Sequence, residues 1–309
     1  EMQRSLVGSE MCIRDRNKGI YRIAAGVGVA VILVSSATAQ AATVTANGTP
    51  APVASDSIAG WPAAPAVTSE TAVLIDADTG AVLYDKGMDE YRYPASTTKI
   101  MTLLVAIENS SPKDIVTFTE TGIRDVTWDS SNINAQLGET MTMKDCWMAA
   151  YIKSANEVCA QIAETVGGTE ANFVEMMNQK AKELGCTGTH FANANGLWMS
   201  NHYTTAHDMA LISQEAYKNP TFAKITGTKR YIINKTKKHA KRDLHNHHGM
   251  LYPSTFTQYL YEYCVGGKTG YTSKCRYTLV TYAKKNGTTL VSVIMRAPNS
   301  PWTAPDANE

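Results

Sequence analysis

Tyr93-Pro94-Ala95-Ser96-Thr97-Thr98-Lys99-Ile100-Met101-Thr102 is the stretch on which the reading of this chain turns. It reads as the opening of a helix: Pro94 and Ala95 lead in, and Ile100, Leu103, Leu104 and Ile107 follow at helical spacing. Ser96 and Lys99 stand three residues apart, which places both side chains on one helical face. A serine nucleophile whose base is a lysine needs that geometry. The base must be neutral, so burial or nearby positive charge has to pull its pKa down. A helix N-terminus also offers free N–H groups where an oxyanion would develop. Alone, S-x-x-K is usually a capping serine with a solvated lysine one turn on. A second copy, Ser110-Ser111-Pro112-Lys113, reads as a helix-ending loop because Pro112 breaks the pattern.

Two further short motifs change that balance. Ser154-Ala155-Asn156 falls in a loop between two predicted helices, 58 residues after Ser96. A hydroxyl there can relay a proton, and an amide can hold a carbonyl or the lysine. The pattern is weak by itself, since Ser130-Ser131-Asn132 repeats it. Gly266-Gly267-Lys268-Thr269-Gly270 sits in a predicted strand, where glycines admit a close backbone and Lys268 with Thr269 suits an anionic group. The ordinary reading of that tripeptide is a strand end with a surface lysine. Their order is the stronger signal: S-x-x-K at a helix start, S-x-N between helices, K-T-G on a strand.

With their surroundings, these motifs closely resemble those of the serine D-alanyl-D-alanine carboxypeptidases, the low-molecular-mass penicillin-binding proteins of peptidase family S11. The resemblance rests on residues 94–102, Ser154-Ala155-Asn156-Glu157, Asn195-Gly196-Leu197, residues 202–210 and Gly267-Lys268-Thr269-Gly270-Tyr271-Thr272, and spans roughly residues 70–298. It implies that Ser96 is acylated by the penultimate D-Ala carbonyl of a peptidoglycan stem peptide and that Lys99 takes its proton. It further implies that Ser154 passes a proton to the leaving amine while Asn156 fixes Lys99 and the substrate amide. Lys268 and Thr269 would meet the terminal carboxylate, with Gly270 and Tyr271 completing the substrate side. The backbone N–H groups of Ser96 and Tyr271 would form the oxyanion hole. Water would deacylate the enzyme, β-lactam antibiotics would trap it covalently, and neither metal nor organic cofactor is implied.

A serine β-lactamase would use a glutamate in an E-x-x-L-N stretch, which the chain lacks between Asn156 and Lys268. A D,D-endopeptidase differs only on the leaving side of the cut bond. A non-catalytic wall binder is opposed by the intact set of six motif side chains. Glu157 stands where the family often has Asp. Residues 235–248 carry five Lys/Arg and four His; they read as a solvated basic loop rather than a metal site of His239, His245, His247 and His248, whose spacing is irregular.

The 309 residues, 44% of them hydrophobic, can bury one large domain or two lobes. With 29 basic and 28 acidic residues the net charge is +1, which argues against a nucleic-acid partner. Arg14, Arg16, Lys18 and Arg22 precede an apolar run at 23–34 and small residues with A-x-A at Ala37/Ala39 and Ala39/Ala41. This layout makes residues 1–41 a secretory signal peptide rather than a retained anchor, and the protein an exported one of the cell envelope. The chain opens on Glu1, with Met11 as an alternative start, so residues 1–10 are open to a non-native reading. Without the leader the balance is 24 against 25, or −1, and five cysteines remain that read mainly as small core residues. Peripheral membrane association stays open.

Residues 42–68 read as a flexible Ala/Pro/Thr/Ser tether, and 69–309 as the catalytic domain, truncated at its C-terminus relative to the family. Strands are expected at 71–75 and 81–84 around Asp76-Ala77-Asp78-Thr79-Gly80. Three more are expected at 263–271, 277–283 and 288–295, the last pair joined by Asn286-Gly287. Helices are expected at 146–152, 158–166, 171–184 and 206–217, with Thr142 and Thr205 as capping residues and Pro220 closing the last. Residues 114–142 look irregular or weakly stranded. The architecture is therefore α/β (α+β): a mainly antiparallel five-stranded sheet shared by both ends of the chain, with flanking helices and an inserted helical lobe. The resemblance makes it β-lactamase/penicillin-binding-protein-like.

Overall fold

The two strands at the start of the domain and the three at its end do meet in one sheet. The computed structural model describes residues 54, 59–126, 130–253 and 257–298. In it Thr71–Asp76 (β1) and Val82–Lys86 (β2) form a hairpin, and β1 then pairs antiparallel with Thr288–Ala297, from Thr71↔Met295 to Asp76↔Leu290. With Thr288–Ala297 as β9, the five-stranded order is completed by Arg276–Lys285 (β8) and Cys264–Thr272 (β7) and runs β2-β1-β9-β8-β7, every pair antiparallel. Asn286 and Gly287 both take positive φ, 51° and 89°, and so turn β8 into β9 with Lys285 opposite Thr288. Two left-handed residues match the twist of the strands they join.

Alternation along the strands buries both faces of this sheet. Val73, Ile75, Val280, Tyr282, Val291, Val293 and Met295 face the main core, which the helices complete with Trp147, Phe173 and Phe222. Ala72, Leu74, Tyr84, Leu290 and Ile294 face a smaller cluster closed by Met250, Leu251 and Cys264. The helices are Lys99–Asn109 (α1), Glu120–Ile123 (α2), Met143–Ile152 (α3), Asn156–Gly167 (α4), Glu170–Glu183 (α5), Ala206–Lys218 (α6) and Pro220–Thr226 (α7). Helix α1 is buried continuously from Lys99 to Ala106, so it is a central helix rather than an amphipathic one on the surface. Thr142 and Thr205 cap α3 and α6 as expected, accepting from the amides of Asp145 and Asp208.

Several expectations need correcting. Pro220 opens α7 instead of closing α6: the Asn219 side chain caps the new helix, and a proline at the first helical position loses only an N–H that would be unpaired anyway. The weakly stranded reading of residues 114–142 does hold, as a short two-stranded ladder of Ile115–Thr117 (β3) with Thr140–Thr142 (β4). The run at 235–248 is not a solvated loop throughout. Arg230–Ile233 (β5) and Arg242–His245 (β6) pair, and Arg242, Asn246 and His248 are buried. Nor does the tether stay loose to 68, since Trp61 donates to the Leu83 carbonyl at 3.2 Å and Lys86 to that of Val67 at 2.6 Å. The leader at 1–41 and tether residues 42–53 and 55–58 lie outside the described residues. Among the described residues no helix is long and apolar enough to cross a membrane.

Candidate active site

Ser96 lies in the turn that precedes α1, not in the α-helix itself. Ala95–Thr98 is a 3-10 turn feeding into α1, and Ala95 itself is left-handed at φ 50°. A non-glycine residue held there stores strain that its surroundings must hold. Those surroundings converge on the Pro94 carbonyl, which accepts from Thr97 Oγ1 at 2.7 Å and from Thr278 Oγ1 on β8 at 2.9 Å. The result is a half-buried Ser96 over a Lys99 that is 1% exposed. Lys99 Nζ lies 2.9 Å from Ser96 Oγ, 2.6 Å from Asn156 Oδ1 and 2.5 Å from the Asn195 carbonyl. Burial lowers the Lys99 pKa, against the pull of Cys159, Glu157 and Asp125. A neutral amine in this place can donate to Asn156 and Asn195 and turn its lone pair to the Ser96 hydroxyl proton.

Ser154 and Lys268 form a second hydrogen-bonded pair. Ser154 links α3 to α4 in a left-handed conformation, φ 60°, and its Oγ accepts from Lys268 Nζ at 3.0 Å. Lys268, 3% exposed, also donates to the Thr269 carbonyl at 2.7 Å. Its pKa is pushed well down, by burial first and then by Lys99. Gly270 is required by space: a Cβ there would lie 2.4 Å from Thr278 Oγ1 and 2.9 Å from the Ser96 amide nitrogen. The strand backbone thus passes directly beside the Ser96 amide. The Tyr271 side chain, 52% exposed, points away and packs on Tyr277, leaving its backbone as the part close to the site. Ser96, Lys99 and Asn156 are thus hydrogen-bonded in one group and Ser154 and Lys268 in another, with the two lysines close enough to repel each other, Gly270 against Ser96, and Thr269 half-buried beside Lys268.

Comparison with known proteins follows this geometry. Residues 59–299 match the model of the peptidase S11 family, described as D-alanyl-D-alanine carboxypeptidase. The chain belongs to that family. It is 36% identical over 232 residues to the D-alanyl-D-alanine carboxypeptidase DacF of Bacillus subtilis, covering 74% of this chain and 57% of the relative. Against DacA of Haemophilus influenzae the identity is 33% over 244 residues, 76% of this chain and 58% of the relative. The chain thus spans under three fifths of the length of these two relatives. Among solved structures, a D-alanyl-D-alanine carboxypeptidase of Mycobacterium tuberculosis superimposes with a TM-score of 0.71 at 27% identity, covering 78% of this chain and 88% of that one. The Streptomyces K15 DD-transpeptidase gives 0.70 at 26%, covering 76% and 92%. The fold is that of the penicillin-binding D,D-peptidases. The S11 match starts at residue 59, within the stretch read as tether and just before the packed Trp61.

Around the S11 motifs stand residues to which sequence reasoning gave no role. The Asn195 carbonyl receives Lys99, while its side-chain amide donates to Asp125 Oδ2 at 2.9 Å. Burial raises the Asp125 pKa, with Arg124 opposing. The loop carrying Asn195 comes this close because of Gly196, which is left-handed at φ 85° and whose Cβ would sit 2.0 Å from the Ala95 carbonyl oxygen. His202 Nδ1 accepts from the Ala192 amide at 3.0 Å, so Nε2 holds the proton and donates to Thr98 Oγ1 at 2.8 Å. Burial, with help from His190 and Lys99, drives the His202 pKa down to about 3, and it stays neutral in its structural place. The only signal for these residues was the resemblance of the segments around 195 and 202; no spacing rule links them to Ser96. Glu157 is fully buried, accepts from the Ile133 amide at 2.7 Å, and is raised to about 7 by burial. Among the described residues no three His, Cys, Asp or Glu side chains gather in a way that could hold a metal ion.

Proposed function

We propose that this chain is the catalytic unit of an exported serine D,D-carboxypeptidase that removes the terminal D-Ala from peptidoglycan stem peptides and is acylated by β-lactams. The contact that carries the reading is the buried Lys99 amine 2.9 Å from the accessible Ser96 hydroxyl, facing the Lys268–Ser154 pair. Lys99 takes the Ser96 proton as Oγ attacks the penultimate carbonyl carbon. The oxyanion is received by the amides of Ser96 and Tyr271, a role supported by the approach of Gly270 to the Ser96 nitrogen. Ser154, bonded to Lys268, gives its proton to the departing D-Ala nitrogen as the C–N bond breaks and takes up the one that Lys99 carries. Asn156 keeps Lys99 aligned. Lys99, neutral again, takes a proton from the water that attacks the acyl carbon and gives it to Ser96 Oγ as the ester bond breaks.

Lys268 and Thr269 hold the terminal carboxylate in this scheme. Lys268 has no carboxylate partner among the described residues, and the substrate's own carboxylate would supply the counter-charge that its depressed pKa lacks. The segment at 1–41, read as a leader, supports an extracytoplasmic location, where the peptidoglycan substrate lies. The test is D-Ala release from a pentapeptide ending in D-Ala-D-Ala, together with mass spectrometry of a penicillin adduct on Ser96. Equal turnover of the free acid and its C-terminal amide would remove the carboxypeptidase assignment in favour of an endopeptidase.

A further inference from the structure

The basic run beyond the motifs has a definite place in the fold. Four lysines, Lys235, Lys237, Lys238 and Lys241, fall in the turn joining β5 to β6 and are exposed. The turn is built, not loose: the Thr236 amide donates to the His239 carbonyl at 2.9 Å, and Thr236 Oγ1 accepts from the His239 amide at 3.0 Å while donating to Glu139 Oε1 at 2.6 Å. Its roots are tied to the segments that carry Asn156 and Lys268. On one side Arg242 donates to the Ile133 carbonyl at 2.7 Å, the Ile133 amide donates to Glu157, and the Asn156 amide to the Ser131 carbonyl at 2.8 Å. On the other, the segment after β6 places His248 against β7, with His248 Nε2 3.0 Å from Thr281 Oγ1 and its ring filling the space above Gly267. The hairpin that carries the lysines is thus tied on one side to the segment of Asn156 and on the other to the strand of Lys268.

Little of their charge is taken up inside the molecule, Lys241 alone lying in the field of Asp243 among the described residues. The acidic residues of this region are already paired, Glu139 with Arg242, and Asp243 with Arg230 and His245. Lys235, Lys237 and Lys241 have no ion pair among the described residues, and Lys238 donates to the Leu137 carbonyl. Four cations within seven residues stand out on a chain of net charge +1. We propose that this lysine turn is a binding surface for the carboxylate-bearing peptide strands of polymeric peptidoglycan, holding the polymer beside the cleft that cuts it. The proposal rests on the carboxypeptidase reading and extends it from a single stem peptide to the polymer. Exposed lysines act as screened point charges, so the contact should be multivalent and salt-sensitive.

The test uses the full chain with Ser96→Ala, sedimented with insoluble peptidoglycan stripped of phosphate-bearing polymers. Lys235→Gln/Lys237→Gln/Lys241→Gln in that background should bind about tenfold more weakly at low salt, converging with the parent near roughly 0.5 M salt. Lys238 is kept because it helps hold the turn. In the active protein the same triple substitution should leave the penicillin acylation rate unchanged, which shows that fold and cleft are intact. Equal sedimentation of parent and triple variant would overturn the proposal. So would binding that survives amidation of the strand carboxylates, or binding seen only with walls that retain phosphate polymers. A Ser96 protein that sediments by its lysines but neither acylates nor releases D-Ala would remove the enzymatic reading and leave the surface standing.

Discussion

Lys99 was recognisable by its distance from Ser96, but its chemistry depends on where it lies. Burial lowers its pKa, so the fraction of enzyme with a neutral base grows as pH rises through that lowered value. The penicillin acylation rate should follow the same rise, measured by stopped-flow with a fluorescent penicillin, and Lys99→Ala should lose about a thousandfold or more and with it the pH dependence. Glu157 gives a stability prediction of opposite sense. Its folded pKa of about 7 exceeds the ordinary value of 4.5. Below 4.5 both states hold the proton; between 4.5 and 7 only the folded state does. Its contribution is therefore full at low pH and lost as pH rises through about 7, up to about 3 kcal/mol in all. Glu157→Gln should flatten the fall in Tm across that window; parallel Tm curves for the two proteins would refute the assignment. The sequence marked Glu157 as a departure from its family, but gave no hint that it pins the Ile133 amide.

At the scale of elements, local rules worked where the partner of a residue is a few positions away. Thr142 and Thr205 were legible caps, and Asn286-Gly287 a legible turn, because each satisfies its own neighbouring amides or strand twist. Thr169 at the start of α5 follows the same rule, its Oγ1 accepting from the Asn172 amide at 3.1 Å while the residue stays exposed. Thr169→Ala should cost about 1 kcal/mol, read as a fall in Tm, with no change in penicillin acylation. Pro220 was misread because proline is compatible with both a helix end and a helix beginning, and only Asn219 accepting from the following amides decides between them. The strands β3 and β4 are three residues each, too short for alternation to show, and exist because 22 intervening residues return the chain to the same edge.

The whole molecule depends on a few long-range ties, of which Arg242–Glu139 is the most enclosed, with side chains 5% and 0% exposed. Arg242 bonds both Glu139 oxygens, at 2.8 and 2.9 Å, joining the β5–β6 hairpin to the loop that leads to Ser154 and Asn156. Arg242→Met leaves a buried carboxylate alone and should cost about 3–5 kcal/mol, whereas the double substitution Glu139→Met/Arg242→Met should recover much of it. Urea unfolding of the three variants measures this, and additive losses would rule out the pair as a unit. The sequence by itself determined the helix caps, the hairpin turns, the shared face of Ser96 and Lys99, the split sheet and, through three ordered motifs, the family. Tertiary structure alone decided that Lys99 meets residues 57 and 96 positions away, and that Lys268 reaches a serine 114 positions away. It also decided which carbonyl receives the lysine and that neither lysine keeps an ordinary pKa. Periodicity and capping report forces acting within a turn or two of chain, while desolvation and cross-chain hydrogen bonds exist only once the core has closed around them.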